Sequence, residues 1–190
     1  MLLLRLYLLA GMVVHKAVWE VLKRRSHGPA ARAAPPVSPW LLLVKSVKVA
    51  ILLGLLAQTL LPEILPIATD ATGLRVLGVL LYSVGLVTAI VARVQLGDNW
   101  SDIEAPQTLR QQRVIARGVY RYARHPIYAG DLLLLLGLEL SLNSWLVLAV
   151  GLLIPVVVRQ ALREERMLAA ALPGYQDYCA ATKRFVPFLV

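Results

Sequence analysis

The sequence predicts an all-α fold, a polytopic integral membrane protein of about five transmembrane helices that ends in a C-terminal helical hairpin. Three observations predict it. Hydrophobic residues make up 58% of the 190-residue chain, and its mean hydropathy of +0.68 exceeds what a soluble domain can bury. Several apolar segments reach the roughly 20 residues that cross a bilayer. Lysine and arginine also concentrate in alternate connections, which is typical of cytoplasmic loops.

The first half of the chain, residues 1–95, is predicted to hold three transmembrane helices. Two predominantly apolar segments, Trp40 to Leu61 and Gly73 to Val94, have the required length. The opening segment, Met1 to Leu22, is broken by charged residues, and a secretory signal peptide is the alternative interpretation. Because no small-residue cleavage site follows its apolar part, we expect a retained helix. The proline-rich stretch 23–39 is predicted to be an extended cytoplasmic connector.

The second half, residues 96–190, is predicted to carry a helical hairpin, so that the whole chain forms one membrane domain. The two arms, Pro126 to Leu142 and Ser144 to about Gln160, are apolar and are separated by a short polar break. Such a short break indicates an antiparallel helix pair. Each arm is short for a span, so we expect the hairpin to tilt, to thin the bilayer locally or to rest against the longer helices. A re-entrant hairpin is the alternative.

The distribution of positive charge predicts the orientation of these helices. Lysine and arginine are frequent after the first helix, before the hairpin and in the C-terminal tail, whereas the connection 62–72 and the hairpin tip at Asn143 contain none. This pattern places the N-terminus outside and the C-terminus in the cytoplasm, in what we expect to be a prokaryotic inner membrane. The net charge of +9 is attributed to topology and anionic lipid head groups, and not to nucleic-acid binding.

The composition excludes several classes of site. Cys179 is the single cysteine, which excludes an internal disulfide and a Cys-x-x-Cys redox pair. The three histidines are scattered along the chain, so no metal site is expected. The apolar segments and the positive charge predict membrane lipids as partners. The sequence does not indicate an oligomeric state.

Polar residues at the two ends of the hairpin are the candidate functional groups. Since an antiparallel hairpin brings its ends together, the cytoplasmic loop and the tail are expected to face each other across one pocket. Pro126 suits the first turn of a helix, where its missing N–H is no loss. The amides of Ile127, Tyr128 and Ala129 would then be free to bind a carboxylate or phosphate. Glu164 and the glutamate after it can accept hydrogen bonds from a ribose or hold an ammonium group.

Structural explanations compete with these assignments. The sequence Arg124-His125-Pro126 can be an interfacial cap with snorkelling charges. The tyrosines can form an interfacial aromatic belt, and Glu164 and Glu165 can pair with neighbouring arginines on a solvated helix face. Asp131 and Glu139 lie inside a lipid-length segment, where an ionisable residue is a functional candidate by default.

The second half also carries an ordered set of short motifs. They are Leu96-Gly97-x-x-Trp100-Ser101, Gly118-Val119-Tyr120, Arg124-His125-Pro126-x-Tyr128-x-Gly130, Glu164-Glu165-x-x-Leu168, Tyr175-x-x-Tyr178 and Arg184-x-x-Pro187. In this order and spacing, the set resembles the isoprenylcysteine carboxyl methyltransferase family and its bacterial relatives. The resemblance covers Leu96 to Pro187, about half of the chain, and its specificity lies in the full set because no single motif is decisive.

The resemblance implies an integral membrane methyltransferase. Its cofactor, S-adenosylmethionine, is expected in a cytoplasmic pocket closed by the C-terminal segment, and a lipophilic acceptor is expected to enter between helices from the bilayer. Carried over position by position, the cofactor-binding residues that the resemblance implies are Gln112, Arg113, Val114, Ile115, Tyr120, His125, Pro126, Ile127, Tyr128 and Glu164.

The expected acceptor site departs from the family at one position. Members that methylate prenylcysteine carry an arginine one turn before the cofactor glutamate, and this chain has Gln160 there. Arg159 or Arg163 is the candidate replacement, although each points elsewhere around a helix of 3.6 residues per turn. The predicted acceptor is an isoprenylcysteine-like carboxylate or a related lipid or thiol, with Gln160, Arg124 and Arg163 as substrate-binding candidates.

Methyl transfer from a sulfonium needs mainly alignment of the reactants and exclusion of water. We therefore expect His125 and Tyr128 to shape the cofactor pocket. Arg124, Arg159 or Arg184 is expected to orient an anionic acceptor. The catalytic candidates are His125, Arg159 and Arg184.

Two other functions fit parts of the pattern. An NADPH-dependent membrane sterol or lipid reductase has a similar His-Pro-x-Tyr-x-Gly junction followed by an acid, a place that Asp131 occupies here. Those enzymes usually have asparagine where this chain has Ile127, and the Glu164-Glu165 pair suits a methyltransferase better. A non-catalytic membrane partner protein would not need glycine, histidine, tyrosine and glutamate motifs that converge on one hairpin.

Overall fold

The computed structural model describes residues 1–26, 39–61, 63–99 and 113–187. Within these ranges the chain forms helices and turns, joined by two isolated bridges and no strand, which confirms the all-α prediction for the part described. Short 3-10 turns lie at Gly97–Asn99 and Gly118–Arg121. The α-helices are α1 (Leu2–Ser26), α2 (Pro39–Leu60), α3 (Thr72–Leu96), α4 (Pro126–Ser141), α5 (Val147–Ala171) and α6 (Tyr175–Ala181).

Most predicted helices lie close to the observed ones. α1 to α4 begin and end within a few residues of their predicted positions. α5 is the exception, because it continues past its predicted end at Gln160 as far as Ala171. The short helix α6 was not predicted at all. Most of the predicted connector 23–39 lies outside the described residues.

Two of the described helices are long and apolar enough to cross a membrane. They are α1, over Leu2–Arg25, and α3, over Thr72–Leu96. Many apolar side chains of the long helices are exposed, such as Leu152 in α5 at 75%. A bilayer would cover such surfaces, whereas water would not tolerate so many of them. The five-span arrangement and its orientation remain predictions.

Glycines bring α3 and α4 into close contact. A Cβ atom added at Gly85 would clash with the backbone nitrogen of Leu134, and one added at Gly137 would clash with that of Tyr82. Small residues of this kind let membrane helices approach until their backbones touch. The glycines at this contact are Gly78 and Gly85 in α3, and Gly130 and Gly137 in α4. They fix α4, and therefore the polar junction that begins it, against α3.

The apolar core is small and lies where α1 joins this pair. Its buried members are Leu8, Met12, Tyr82, Leu134, Leu138 and Leu142. The Tyr82 hydroxyl, fully buried, donates a hydrogen bond to the Leu8 carbonyl at 2.6 Å. This bond satisfies the phenol in an apolar setting and ties α1 to α3.

The hairpin tip is fastened at the end of the molecule away from the α4 N-terminus. Asn143 has a left-handed backbone, with φ of 55°, a conformation that asparagine tolerates. Its side-chain amide donates to Glu63 at 2.9 Å and to the Ala68 carbonyl at 2.8 Å. Nearby, Gln58 of α2 donates to the buried carboxyl of Glu139 at 2.7 Å. Glu139, a functional candidate from its depth in the helix, therefore has a structural partner.

Candidate active site

A cavity lies where the start of α4 meets the second half of α5 and α6. It holds about 160 Å³ of water-accessible space, room for on the order of ten water molecules. Its walls come from α1, from the loop before α4 and from both arms of the hairpin. The lining residues are Trp19, Leu96, Asn99, Arg113, Val114, Ile115, Tyr120, Arg124, His125, Ile127, Tyr128, Asp131, Gln160, Glu164, Met167, Leu168, Leu172, Tyr175 and Tyr178.

The α4 N-terminus forms one wall of the cavity. Pro126 occupies the first turn, as predicted, and His125 is the residue that precedes the helix. The prediction of a free amide is wrong for Ala129, because its N–H donates to the His125 carbonyl at 3.1 Å. That carbonyl accepts the first hydrogen bond within the helix, so only the amides before Ala129 can face a ligand. Ile127 and Tyr128 both line the cavity.

The C-terminal tail is hydrogen-bonded to the segment that leads into α4. The Arg124 amide donates to the Lys183 carbonyl at 2.8 Å, and the His125 amide donates to the Arg184 carbonyl at 2.9 Å. The Tyr178 hydroxyl of α6 donates to the Tyr120 carbonyl at 2.7 Å. These bonds hold the tail over the cavity, in agreement with a pocket closed by the C-terminal segment.

Glu165 is the electrostatic anchor of this closure. Its carboxylate, whose side chain is 12% exposed, lies 2.8 Å from Arg124 Nε, 3.0 Å from Arg184 Nη2 and 3.2 Å from His125 Nε2. Burial alone would raise the pKa of Glu165. The hydrogen bonds from His125, Arg184 and Arg124 outweigh that effect and hold the pKa well below the usual range of a carboxyl group. Glu165 is therefore ionised whenever the protein is folded near neutral pH.

Glu164, the preceding residue, faces the cavity. Its Oε2 accepts a hydrogen bond from the Tyr128 hydroxyl at 3.0 Å, and His125 Nδ1 lies 3.9 Å away. Consecutive helical residues point about 100° apart, so adjacent glutamates reach different surroundings. The His125 ring stacks on Tyr128 with centroids 5.4 Å apart, which places an aromatic pair beside this carboxylate.

Buried tyrosines supply neutral donors to the opposite wall. Burial raises the pKa of Tyr178 to about 12, and it raises the pKa of Tyr120 further still. Both hydroxyls therefore stay protonated at any physiological pH. Tyr175 and Tyr178 lie with ring centroids 5.8 Å apart, and both line the cavity.

The α1 side of the cavity carries a polar pair and an indole ring. His15 Nε2 lies 2.9 Å from Asp131 Oδ1, which joins α1 to α4. The His15 ring stacks on Trp19 at 4.1 Å with an interplanar angle of 19°. Trp19 and Asp131 both line the cavity. Asp131 lies one turn further into α4 than Tyr128, on the side that faces α1.

The structure brings most of the predicted site residues together. Those that line the cavity are Arg113, Val114, Ile115, Tyr120, Arg124, His125, Ile127, Tyr128, Gln160 and Glu164. Pro126 is buried behind this surface. Gln112 lies outside the described residues.

Three predicted arginines lie elsewhere. Arg159 and Arg163 are exposed on other faces of α5 and do not line the cavity. Arg184 also lies off the cavity wall, because its guanidinium is bound to Glu165. Their placement gives no support to the roles in acceptor binding or catalysis that were predicted for them. Arg124 does line the cavity, but the same carboxylate holds its Nε atom.

Several lining residues were not assigned to the site from the sequence. Met167, Leu168 and Leu172 follow Glu164 at helical spacing, so a longer α5 would have revealed them. Trp19 had no such signal, because nothing in the sequence shows which face of α1 meets α4. Glu165 was named only with its neighbour, and its three basic partners, two arginines and a histidine, come from two distant segments.

Comparison with known proteins identifies the family. The phospholipid methyltransferase family model matches residues 74–173, from α3 through the end of α5. A cobalt-zinc-cadmium resistance protein of Cupriavidus metallidurans is 35% identical over 85 residues, which cover 42% of this chain and 38% of that protein. A nickel-cobalt-cadmium resistance protein of Alcaligenes xylosoxydans xylosoxydans is 28% identical over 114 residues, 57% of this chain and 51% of that protein.

The chain thus spans about half, or less, of the length of these two curated relatives. The family match covers more than half of this chain, and it includes both arms of the hairpin and most of the cavity wall. The expected resemblance to membrane methyltransferases is confirmed at this level, since the matched family includes the relatives of the isoprenylcysteine enzymes. The chain belongs to the phospholipid methyltransferase family.

Proposed function

We propose that this protein is an S-adenosylmethionine-dependent methyltransferase that modifies a lipophilic acceptor at the cytoplasmic face of the membrane. One observation carries the proposal. Within the family-matched region, the start of α4 and the second half of α5 enclose a cavity that combines free helix N-terminal amides with the carboxylate of Glu164.

The charges of the cavity fit this cofactor. S-adenosylmethionine carries a sulfonium and an ammonium group, and a carboxylate such as Glu164 favours positive charge nearby. The aromatic rings of Tyr128 and Tyr175 also attract a cation. The amides of Ile127 and Tyr128 at the α4 N-terminus suit the carboxylate of the same ligand. Arg113 lies at the cavity wall and can add to that anion-binding end.

The protein's part in methyl transfer is to bind, orient and exclude water. When bound, S-adenosylmethionine supplies an already activated methyl group. Met167, Leu168 and Leu172 give the α5 wall an apolar surface, which keeps water from the reaction. Glu165 and its cationic partners hold the tail closed over the ligand. His125, fixed by Glu165 and stacked on Tyr128, sets the shape of the pocket.

The acceptor is a lipophilic molecule that reaches this cavity from the bilayer. Among the predicted classes, an isoprenylcysteine-like carboxylate has the least support. Gln160 lines the cavity at the position where an arginine would hold such a carboxylate. The nearby guanidinium groups of Arg124 and Arg184 are bound by Glu165.

The reductase alternative fits the same cavity less well. NADPH carries several phosphate charges, and both Glu164 and Asp131 would repel them. Arg113 is the one lining arginine whose side chain is not held by Glu165 in the described part of the cavity. A dinucleotide would need more positive charge than this.

Ligand-induced stabilisation tests the proposal. Purified protein in detergent should gain thermal stability with S-adenosylmethionine and not with NADPH, because a ligand that binds only the folded state stabilises it by about 2.7 kcal/mol at a hundredfold excess over Kd. Glu164→Gln should lose most of this gain. Glu20→Gln is the matched control, since this partly exposed glutamate pairs with Arg24 of the same helix and does not itself line the cavity. Stabilisation by NADPH alone would favour the reductase.

A further inference from the structure

We propose that Asp131, positioned by His15 of α1, accepts the proton that the methyl acceptor must lose. The acceptor would then be a nucleophile that carries a proton, such as an amine, a hydroxyl or a thiol. This inference rests on the proposed methyltransferase function. It adds to the site His15, which lies outside the family-matched region.

Geometry singles out this pair. Asp131 lines the cavity, and its Oδ1 lies 2.9 Å from His15 Nε2. The His15 ring is itself held by stacking on Trp19, whose centroid is 4.1 Å away. An imidazole that is fixed on one side by an indole and on the other by a carboxylate holds that carboxylate in one orientation. The Asp131 side chain is itself 38% exposed, so its carboxylate remains accessible to a ligand.

The carboxylates of Glu164 and Asp131 lie at different depths in the cavity. Glu164 belongs to the cytoplasmic end, beside His125 and Tyr128. Asp131 lies a turn deeper along α4 and faces α1, one of the helices long and apolar enough to cross the bilayer. A lipid head group that arrives from the membrane would meet Asp131 before it met the cofactor end.

Charge determines which head groups fit there. A carboxylate acceptor placed beside Asp131 would face a like charge. Arg124 and Arg184, which could offset this repulsion, are bound to Glu165 instead, and Arg113 is assigned to the anion-binding end of the cofactor site. A neutral nucleophile that still carries its proton suits the site better. Such a nucleophile requires a group that takes this proton.

The proposed step is balanced without a further reactant. The acceptor atom forms a bond to the methyl carbon, and the bond between that carbon and the sulfonium sulfur breaks, leaving its electron pair on sulfur. The proton of the acceptor passes to the Asp131 carboxylate, which becomes a neutral acid. His15 keeps its hydrogen bond to Asp131 and acts as a positioning residue. General base catalysis of this kind contributes about 100-fold or more.

The test measures transfer of a labelled methyl group to three probes. They are phosphatidylethanolamine vesicles, dodecanethiol in detergent and N-acetyl-S-farnesylcysteine, whose carboxylate needs no base. We expect wild-type protein to methylate the amine or the thiol. Asp131→Asn should lower that transfer about 100-fold while thermal stabilisation by S-adenosylmethionine persists. Glu20→Gln serves as the matched control and should transfer at the wild-type rate.

Substitutions at His15 separate positioning from packing. His15→Gln can still donate to Asp131, so it should keep more of the transfer rate than His15→Phe, which keeps only the stacking on Trp19. Equal rates for Asp131→Asn and wild type, a Phe variant more active than the Gln variant, or transfer to the carboxylate probe alone or to none of the probes would each overturn the proposal. Absence of stabilisation by S-adenosylmethionine in the wild type would instead refute the proposed function.

Discussion

Two adjacent residues, Glu164 and Glu165, show how finely the site depends on single side chains. Glu164 faces the cavity and accepts a hydrogen bond from Tyr128. Glu165 faces the tail and contacts two guanidinium groups and the His125 imidazole. Under the proposed function, identical chemistry would serve ligand binding at one position and closure of the tail at the next. The difference comes only from the direction in which each side chain leaves α5.

Glu165→Gln should destabilise the folded protein. The substitution removes a buried negative charge and leaves Arg124 and His125 without it, which costs about 3 kcal/mol for a buried pair broken on one side. Thermal unfolding in detergent at neutral pH measures the loss. Glu164→Gln should unfold close to the wild type, because its amide oxygen can still accept the Tyr128 hydrogen bond.

The effect of Glu165 should also depend on pH. Its pKa is lower in the folded than in the unfolded state, so its stabilising contribution is complete above the ordinary glutamate value of about 4.3 and is lost as the pH falls below it. The stability gap between the wild type and Glu165→Gln should be constant above about pH 5 and narrow in more acidic buffer. A gap that stayed the same down to pH 3 would show that the carboxylate charge is not responsible.

Sequence patterns predicted the identity of many site residues, but they did not predict which side chains bind each other. The motifs around His125, Tyr128 and Glu164 were placed together correctly, since a short hairpin tip forces its two ends to meet. Arg184 was expected to face an acceptor, and it binds Glu165 instead. Which of several cations a carboxylate binds depends on side-chain directions that a linear spacing does not contain.

At the scale of elements, the contact between α3 and α4 positions the site. Gly78 and Gly85 of one helix meet Gly130 and Gly137 of the other at backbone distance. The α4 N-terminus, with its amides and His125, is carried on this pair. A shift of α4 along α3 would move every cavity residue that α4 supplies, including Asp131.

Gly137→Ala should therefore destabilise the protein. The new methyl group would clash with the backbone nitrogen of Tyr82, so the helices must separate, and overpacking of this kind costs about 1–3 kcal/mol. Gly54→Ala in α2 is the matched control, because among the described residues its added Cβ would meet no neighbouring segment within 4 Å. Thermal unfolding of both variants checks the prediction. Equal stability would mean that the glycine contact between α3 and α4 is not tightly packed.

Hydropathy located the helices well but misjudged where α5 ends. The apolar pattern stops near Gln160, since beyond it the helix leaves the expected bilayer, yet the backbone continues to Ala171. Alanine, leucine, arginine and glutamate in this second part are good helix formers. Hydropathy reports contact with lipid, and helix propensity reports the backbone. α6 was not predicted, because a helix of seven residues is too short to show a recognisable hydrophobic pattern.

At the scale of the whole molecule, the two ends of the hairpin serve different purposes. The tip is fastened by Asn143 to the loop that follows α2. The opposite end carries the cavity and nearly all of the site's charged groups. The exposed apolar surface between them has the character of a lipid contact. The predicted orientation, which remains a prediction, would place the end that carries the cavity on the cytoplasmic side.

The single cysteine provides a test of that orientation. Cys179 lies in α6, next to the cavity, and is partly exposed. A membrane-impermeant maleimide should label it in inverted inner-membrane vesicles and not in intact spheroplasts, if the C-terminus is cytoplasmic. Burial raises the pKa of its thiol, so labelling should be slow and should quicken in alkaline buffer. Cys179→Ser is the blank, and labelling from outside would reverse the proposed topology.

The neighbouring glutamates of α5 also limit how this protein can change in length. Inserting or deleting one residue between Pro155 and Glu164 would rotate everything after it by about 100°, because a helix turns by that angle at each residue. The carboxylate of the cavity would turn away from it, and the anchor of the tail would lose its partners. We therefore expect α5 to tolerate substitutions along its apolar surface but not insertions or deletions. Length variation in related chains should be found in the loops that flank α5.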